Sequence, residues 1–224
     1  MAGLSNRQKA FEYLIEFILV IVGISIAFWL NELAEDSKKD ELEMQYLQDL
    51  KEDLMEDIEL LDYLTLLNQD KADKLSRALS YYVDPDIKLN LDSVTTYAGV
   101  IGNLNMFQPN NFTYVSLKQS GDFKIIKAHD IRKTLVKLYS SYETVDLEQK
   151  NLMQALDDHY YPEYFKNYEM ISGKVVNKQF FEGPYLSNFL AFSYNQTNNI
   201  LVYFERSKTL AQQTVALIEE ELKD

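Results

Sequence analysis

The feature that most constrains this chain is an uncharged apolar run near its start. Residues 17–30 read FILVIVGISIAFWL, fourteen residues without a charge. At ~1.5 Å per residue this run is about 21 Å long as a helix, short of the roughly 30 Å of a bilayer core. Extension back to Phe11 reaches the full thickness and takes in Glu12 and Glu16. We therefore predict a transmembrane helix over residues 11–31.

The sequence around this helix favours an uncleaved signal anchor over a cleaved signal peptide. No small-x-small cleavage site follows the apolar run cleanly. A short basic tail, residues 1–10, precedes the run, and its Arg7 and Lys9 lie closer to the helix than Lys38 and Lys39 do on the other side. The positive-inside rule then places the N-terminus in the cytoplasm and the C-terminal domain outside.

One face of the predicted helix carries its acidic and its smallest residues. At ~100° per residue, six side chains share this face: Glu12, Glu16, Val20, Gly23, Ala27 and Asn31. Gly23 and Ala27 form a small-xxx-small pair, which allows helices to approach closely in lipid. A carboxylate in lipid is costly, so burial of Glu16 between helices is favoured, with a headgroup location as the alternative. We predict that this face forms homo-oligomers.

The helix is expected to continue beyond the membrane. No Gly or Pro lies between Glu32 and Pro85, and acidic residues dominate residues 35–74 in a chain of net charge −13. Apolar residues recur mostly at intervals of three and four, as in a coiled coil: Leu42, Leu47, Leu50, Leu54, Ile58, Leu61, Leu64 and Leu67. We predict an acidic stalk helix over residues 32–84, with its charges on a solvated face.

The remainder, residues 85–224, is predicted to be a helical domain that packs on the stalk. A helical pattern runs from residue 129 to about Pro162, which should break or kink it. Another begins near Thr197, while residues 171–188 suggest loop and short extended segments. Three long amphipathic helices predict an all-α fold, an antiparallel bundle with short inserts.

The chain offers little catalytic chemistry. It has no Cys, and His129 and His159 have no second ligand at metal-binding spacing. The acidic net charge argues against nucleic acid as a partner. We predict no enzyme activity, cofactor or metal. The one candidate site outside the helix face is the turn Ser120-Gly121-Asp122, whose backbone N–H groups could meet an anion or partner; a helix C-cap is the simpler alternative.

Two blocks of sequence resemble a known family. Residues 16–32, EFILVIVGISIAFWLNE, resemble the start of a bacterial family of small single-pass membrane proteins of unknown function. SLKQSGDFKII followed by IRKTLVKLYSSYE is similar to a second block of that family. The resemblance covers residues 10–60 and 112–143, and departs at the helix exit, where Trp29 precedes Asn31. It implies a topology in the bacterial inner membrane with a periplasmic domain, and no activity.

Three functional hypotheses follow. The first is a non-catalytic structural or interaction subunit that is anchored in the lipid bilayer, self-associates and presents its domain to another membrane or envelope protein. The second is an extracytoplasmic small-molecule sensor, which the lack of an output module in residues 1–10 disfavours. The third is a channel subunit with Glu12 and Glu16 facing the interior of an oligomer.

Overall fold

A computed structural model describes residues 6–84, 86–88 and 90–223 of the chain. The fold is all-α, as the sequence predicts. The elements, in chain order, are α1 (Asn6–Val83), α2 (Leu91–Ile101), α3 (Phe112–Ser120), a 3₁₀ turn (Asp122–Lys124), α4 (His129–Ala155), a π-helical turn (Leu156–Tyr160), α5 (Tyr161–Asn167), β1 (Tyr168–Glu169), β2 (Lys174–Val175), α6 (Lys178–Glu182) and α7 (Pro184–Glu221).

Helix α1 is one continuous helix of 78 residues, which confirms the predicted passage from the apolar run into the stalk. At ~1.5 Å per residue it is roughly 115 Å long. It ends one residue before Asp84, where the backbone N–H of Asp84 still donates to the carbonyl of Ser80. Pro85, the predicted stop, lies outside the described residues.

The body of the molecule is built on α1, α4 and α7. Helix α7 runs antiparallel to α1, since Lys51 of α1 pairs with Glu219 and Asp62 pairs with Lys208. Helix α4 packs against α7, and the hydroxyls of Ser141 and Ser207 are 2.8 Å apart at their interface. Extended strand structure among the described residues is limited to the antiparallel β1–β2 hairpin, with Tyr168 opposite Val175.

The buried residues of the three long helices alternate at intervals of three and four, the heptad spacing of left-handed coiled coils. In α4 these are Ile131, Leu135, Leu138, Tyr142, Val145, Gln149 and Leu152. In α7 they are Leu186, Leu190, Ser193, Thr197, Ile200, Phe204, Ser207, Ala211, Thr214 and Ile218. In α1 the series includes Glu43, Leu47, Leu50, Leu54, Asp57, Leu61, Leu64, Asn68, Lys71, Leu75 and Ala78.

The α1 series differs from the predicted leucine stripe. Leu42, Ile58 and Leu67 are only partly buried, whereas Asp57 and Lys71 are almost fully buried. The expectation of a solvated charged face holds for most of the acidic residues of this helix and fails at Glu43, Asp57 and Lys71. The buried heptad positions of α1 include polar residues. A prediction based on leucines and isoleucine alone therefore selects some positions beside the buried face.

Two further expectations for the C-terminal half are wrong. The last helix begins at Pro184, not near Thr197, because proline is well suited to the first helical turn and its missing N–H costs nothing there. The predicted loop and short extended segments over residues 171–188 hold only for residues 171–177, which include β2, whereas the rest forms α6 and the start of α7. Pro162, predicted to break or kink the long helix, lies in the first turn of α5, where the chain continues as a helix directly after the π-helical turn.

Candidate functional site

The N-terminal part of α1 projects from the body and touches no other element. Each large apolar side chain described between Phe11 and Leu33 is exposed, from 43% for Ile15 to 72% for Phe28. This is the one helix among the described residues that is long and apolar enough to cross a membrane. A continuous apolar surface of this size is rare on soluble monomers and marks a contact with lipid or protein.

The predicted association face lies on this projecting segment. Because α1 is a regular α-helix throughout, Glu16, Val20, Gly23 and Ala27 share one face. A methyl group added at Gly23 would meet nothing within 4 Å, so this surface is open. Asn31 at its end donates a hydrogen bond to Glu35, one turn later at 3.0 Å. The side chain of Glu12 lies outside the described residues, and the association itself stays a prediction.

The body closes around α1 at Glu43, which is 5% exposed. Its carboxylate accepts the backbone N–H of Lys127 at 2.5 Å and faces the ammonium of the same lysine at 3.4 Å. The Lys127 ammonium also reaches Asp40 at 2.5 Å. Residues 32–41, all exposed, thus separate the apolar segment from the body by roughly 15 Å.

The turn singled out in the sequence lies beside this junction. Gly121 adopts the left-handed conformation (φ 82°) that ends α3. The backbone N–H of Asp122 donates to the Ser120 hydroxyl, and the Tyr46 hydroxyl of α1 donates to the Asp122 carboxylate at 3.3 Å. The turn is therefore a helix C-cap that also contacts α1; binding of a partner there stays a prediction.

An extended segment, residues 103–111, crosses the body between α2 and α3, and we call it the strap. Buried side chains hold it through its backbone rather than through a sheet. Gln149 accepts the N–H of Phe107 at 2.6 Å and donates to its carbonyl at 3.0 Å. Asp57 accepts the N–H of Asn110 at 2.7 Å. These contacts explain the polar residues in the heptad core, because Phe107 and Asn110 have no backbone hydrogen-bond partner among the described residues.

Lys71 makes the same kind of contact at the end of α2. Its ammonium donates to the carbonyls of Ile101 (3.2 Å) and Asn103 (2.7 Å), at the negative end of that helix. The side chain is 2% exposed, and this burial lowers the pKa of Lys71 to about 8. Lys71 is thus a buried cation that is stabilised by the partial negative charge of carbonyl groups at the C-terminus of α2.

Asp57 is the buried acid of the core. Its side chain is 1% exposed, and burial raises its pKa to about 6 despite the hydrogen bond from Asn110. The hydroxyl of Tyr142 is a close neighbour, and burial together with the Asp57 carboxylate raises the pKa of Tyr142 well above its ordinary value. Within the described residues, neither that hydroxyl nor Asp57 Oδ2 has a hydrogen-bond partner of good geometry. The pair therefore places two polar atoms in the core without a hydrogen bond.

An open groove with a volume of about 690 Å³ lies beside Tyr142, between the strap, α3 and α4; we call it the aromatic groove. Its wall is formed by Met106, Phe107, Gln108, Pro109, Asn111, Tyr114, Val115, Lys118, Gln119, Tyr139, Tyr142, Glu143, Asp146 and Gln149. Tyr114 and Tyr139 stack nearly parallel, with ring centroids 3.7 Å apart. Tyr142 and Phe107 continue the aromatic layer at 5.0 Å. A groove of this size and composition suits a small molecule.

Sequence reasoning did not locate this groove. It also missed Asp57, Lys71 and Gln149. Their signal was available: each continues a three-four series of buried positions in its helix, where a polar residue predicts a buried hydrogen bond. The partners of those bonds were not predictable, because the strap has no periodicity.

The fold and these surfaces define a helical protein built on one long helix, with an exposed apolar segment at one end and a groove-bearing body at the other. Residues 16–194 match the family described as "Family of unknown function (DUF6090)", and the chain belongs to this family. The predicted resemblance to a family of unknown function is thereby confirmed. No curated protein and no solved structure matches the chain.

Proposed function

We propose that the protein is a single-pass membrane protein whose helical body acts as a non-catalytic structural or interaction subunit. The observation that carries the proposal is the exposed apolar segment of α1, which is continuous with the folded body. Insertion in a bilayer removes this surface from water at about 25 cal/mol per Å². The exposed turns over residues 32–41 then hold the body roughly 15 Å from the headgroups.

Self-association through the face of Glu16, Gly23 and Ala27 is the second part of the proposal. Small residues allow close approach, and a partner helix would shield the carboxylate from lipid. An oligomer would present several bodies side by side to another membrane or envelope protein. A bacterial inner-membrane location with a periplasmic body follows from the family resemblance and from the basic tail.

Membrane fractionation with alkaline extraction tests the anchor. The unaltered protein is expected in the membrane fraction, resistant to extraction. Ile21→Lys combined with Ile24→Lys should move it to the soluble fraction, since each charge costs about 2.5–3.5 kcal/mol at the centre of a membrane helix. The matched control is Leu66→Lys, an exposed apolar residue of the body, which should stay in the membrane. An unaltered protein found in the soluble fraction would refute the anchor.

The aromatic groove favours a second candidate function, small-molecule binding by the body. This candidate corresponds to the sensor hypothesis and is compatible with membrane anchoring. Its carrying observation is a layer of aromatic rings beside charged side chains at an open surface.

A further inference from the structure

The stacked tyrosines of the aromatic groove have an unusual geometry. Tyr114 and Tyr139 lie 3.7 Å apart with an angle of 5° between their rings. Aromatic pairs prefer offset or edge-to-face arrangements at 4.5–7 Å, because the negative faces of two rings repel each other. A cation on the outer face of such a stack offsets this repulsion by interacting with the ring quadrupole.

The molecule already places a cation there. The Lys118 ammonium lies 5.3 Å from the centroid of the Tyr114 ring, on the face that Tyr139 leaves free. Lys118 is exposed, and no salt bridge involves it among the described residues. It is a mobile charge on a flexible stem, and an exposed cation–π contact is worth only about 0.5–1 kcal/mol. Another cation can therefore displace it at low cost.

The charges around this ring favour a cationic ligand over an anionic one. Glu143 of α4 is close enough to Tyr114 to raise the pKa of its hydroxyl, after the larger effect of burial. Asp146 lies one turn further along the same wall. Asp146 is paired with Lys150 at 2.6 Å, so Glu143 is the groove carboxylate left to interact with a ligand cation, in a protein of net charge −13 that attracts cations at long range.

We propose that the aromatic groove binds a small organic cation, an alkylated or quaternary ammonium, whose charge replaces the Lys118 ammonium over Tyr114 and faces Glu143. Tyrosine rings with carboxylates at their edge provide the environment in which quaternary ammonium groups are recognised. The inference does not depend on membrane anchoring, so the two can fail separately.

Titration calorimetry of the full chain in detergent, with choline as the probe, tests the proposal. The comparison ligand is 3,3-dimethylbutan-1-ol, which has the shape of choline without its charge. Choline is expected to bind roughly three- to thirtyfold more tightly than this alcohol, the range that cation–π contacts give between exposed and desolvated sites. Equal binding of the two ligands, or no choline binding at millimolar concentration, would overturn the proposal.

Two single variants make the test directional. Lys118→Met removes the competing internal cation and keeps the stem, so choline binding should tighten. Glu143→Gln removes the facing carboxylate and should weaken choline binding several-fold while the alcohol is unaffected. The matched control is Glu148→Gln on the same helix, outside the groove wall. Choline binding that weakens in Lys118→Met would show that the Lys118 ammonium does not compete with the ligand and would refute the assignment.

Discussion

At the scale of single residues, the core of this protein depends on charged groups that a helical bundle normally excludes. Asp57 and Lys71 both lie in the heptad series of α1, and each holds a backbone group of a neighbouring segment. They are not paired with each other. Each therefore bears its own cost of desolvation, which appears as a pKa shift toward the neutral form.

Asp57→Asn is expected to stabilise the protein at pH 7.5. Asparagine keeps the acceptor for Asn110 and offers an amide donor to the Tyr142 hydroxyl, and it removes the buried charge. A carboxyl whose pKa rises from 3.8 to about 6 on folding binds its proton more tightly in the folded state, so ionisation weakens the fold. The gain should be about 1–3 kcal/mol, measured by urea unfolding.

The pH profile distinguishes this mechanism from better packing. As the pH falls from about 6 to about 4, Asp57 binds its proton and the unaltered protein should gain stability. The unfolding free energies of the unaltered protein and Asp57→Asn should therefore converge over this range. Glu59→Gln, an exposed acid on the same helix, should show no such convergence. A constant difference between Asp57→Asn and the unaltered protein across this range would contradict the titration of Asp57.

At the scale of elements, the strap is the part of the body that depends most on hydrogen bonds from other elements. Its backbone makes no sheet or helix, so its position depends on side chains of α1 and α4. Gln149 supplies two of those bonds to a single residue, Phe107, and both ends of the amide are buried. Where one residue satisfies two buried backbone groups, its loss leaves both without partners.

Gln149→Met should therefore destabilise the protein by about 2–4 kcal/mol, because it leaves the Phe107 N–H and carbonyl unpaired at similar side-chain volume. Hydrogen exchange should report faster exchange of the Phe107 amide in particular. Gln154→Met on the exposed side of the same helix is the control. Equal stability of the two variants would show that the strap does not need this clamp.

At the scale of the whole molecule, α1 couples two regions with different solvents. The side chains described in its first part are all exposed and its second part forms the core, with no break between them. Any rotation of α1 in a membrane assembly therefore turns the body with it. The face that carries Gly23 and Ala27 sets the relative orientation of bodies in an oligomer, if helices pack there.

Cross-linking through single cysteines tests that packing, since the native chain has no cysteine. Cysteines at positions 23 and 27 should cross-link more efficiently than cysteines at 22 and 25, on the opposite side. Gly23→Leu should weaken the oligomer by keeping helices apart, whereas Val22→Leu should not. Glu16→Gln should retain the oligomer, since an amide still forms interhelical hydrogen bonds worth about 0.6–2 kcal/mol. Equal cross-linking at 23 and 27 and at 22 and 25 would show that the helix anchors the protein without associating through this face.

Orientation can be measured with the same cysteine-free background. Tyr63→Cys places a thiol on the body at a site that is 59% exposed. If the basic tail holds the N-terminus inside, a membrane-impermeant thiol reagent should label this cysteine from the outer side of intact spheroplasts. Labelling only after lysis would reverse the orientation and leave the anchor unchanged.

The sequence by itself determined the features that depend on local periodicity. Three local features are enough to define long helices and an all-α class: the apolar run, the absence of Gly and Pro from Glu32 to Asp84, and apolar residues at intervals of three and four, such as Leu135 and Leu138. The start of α7 was missed because Gly183-Pro184 signals a turn in most contexts and a helix start in this one. From the local sequence, a turn and a helix start at Gly183-Pro184 are close in free energy. Burial of Leu186 and Leu190 against the body favours the helix.

Only the tertiary structure decided the roles of Asp57, Lys71 and Gln149 and the location of the aromatic groove. Each of these residues binds backbone groups at least thirty positions away in the chain. Those groups belong to segments without periodicity, so no local pattern specifies the pairing. The energy of a buried polar group depends on whether its partner is present, and that is a property of the assembled fold.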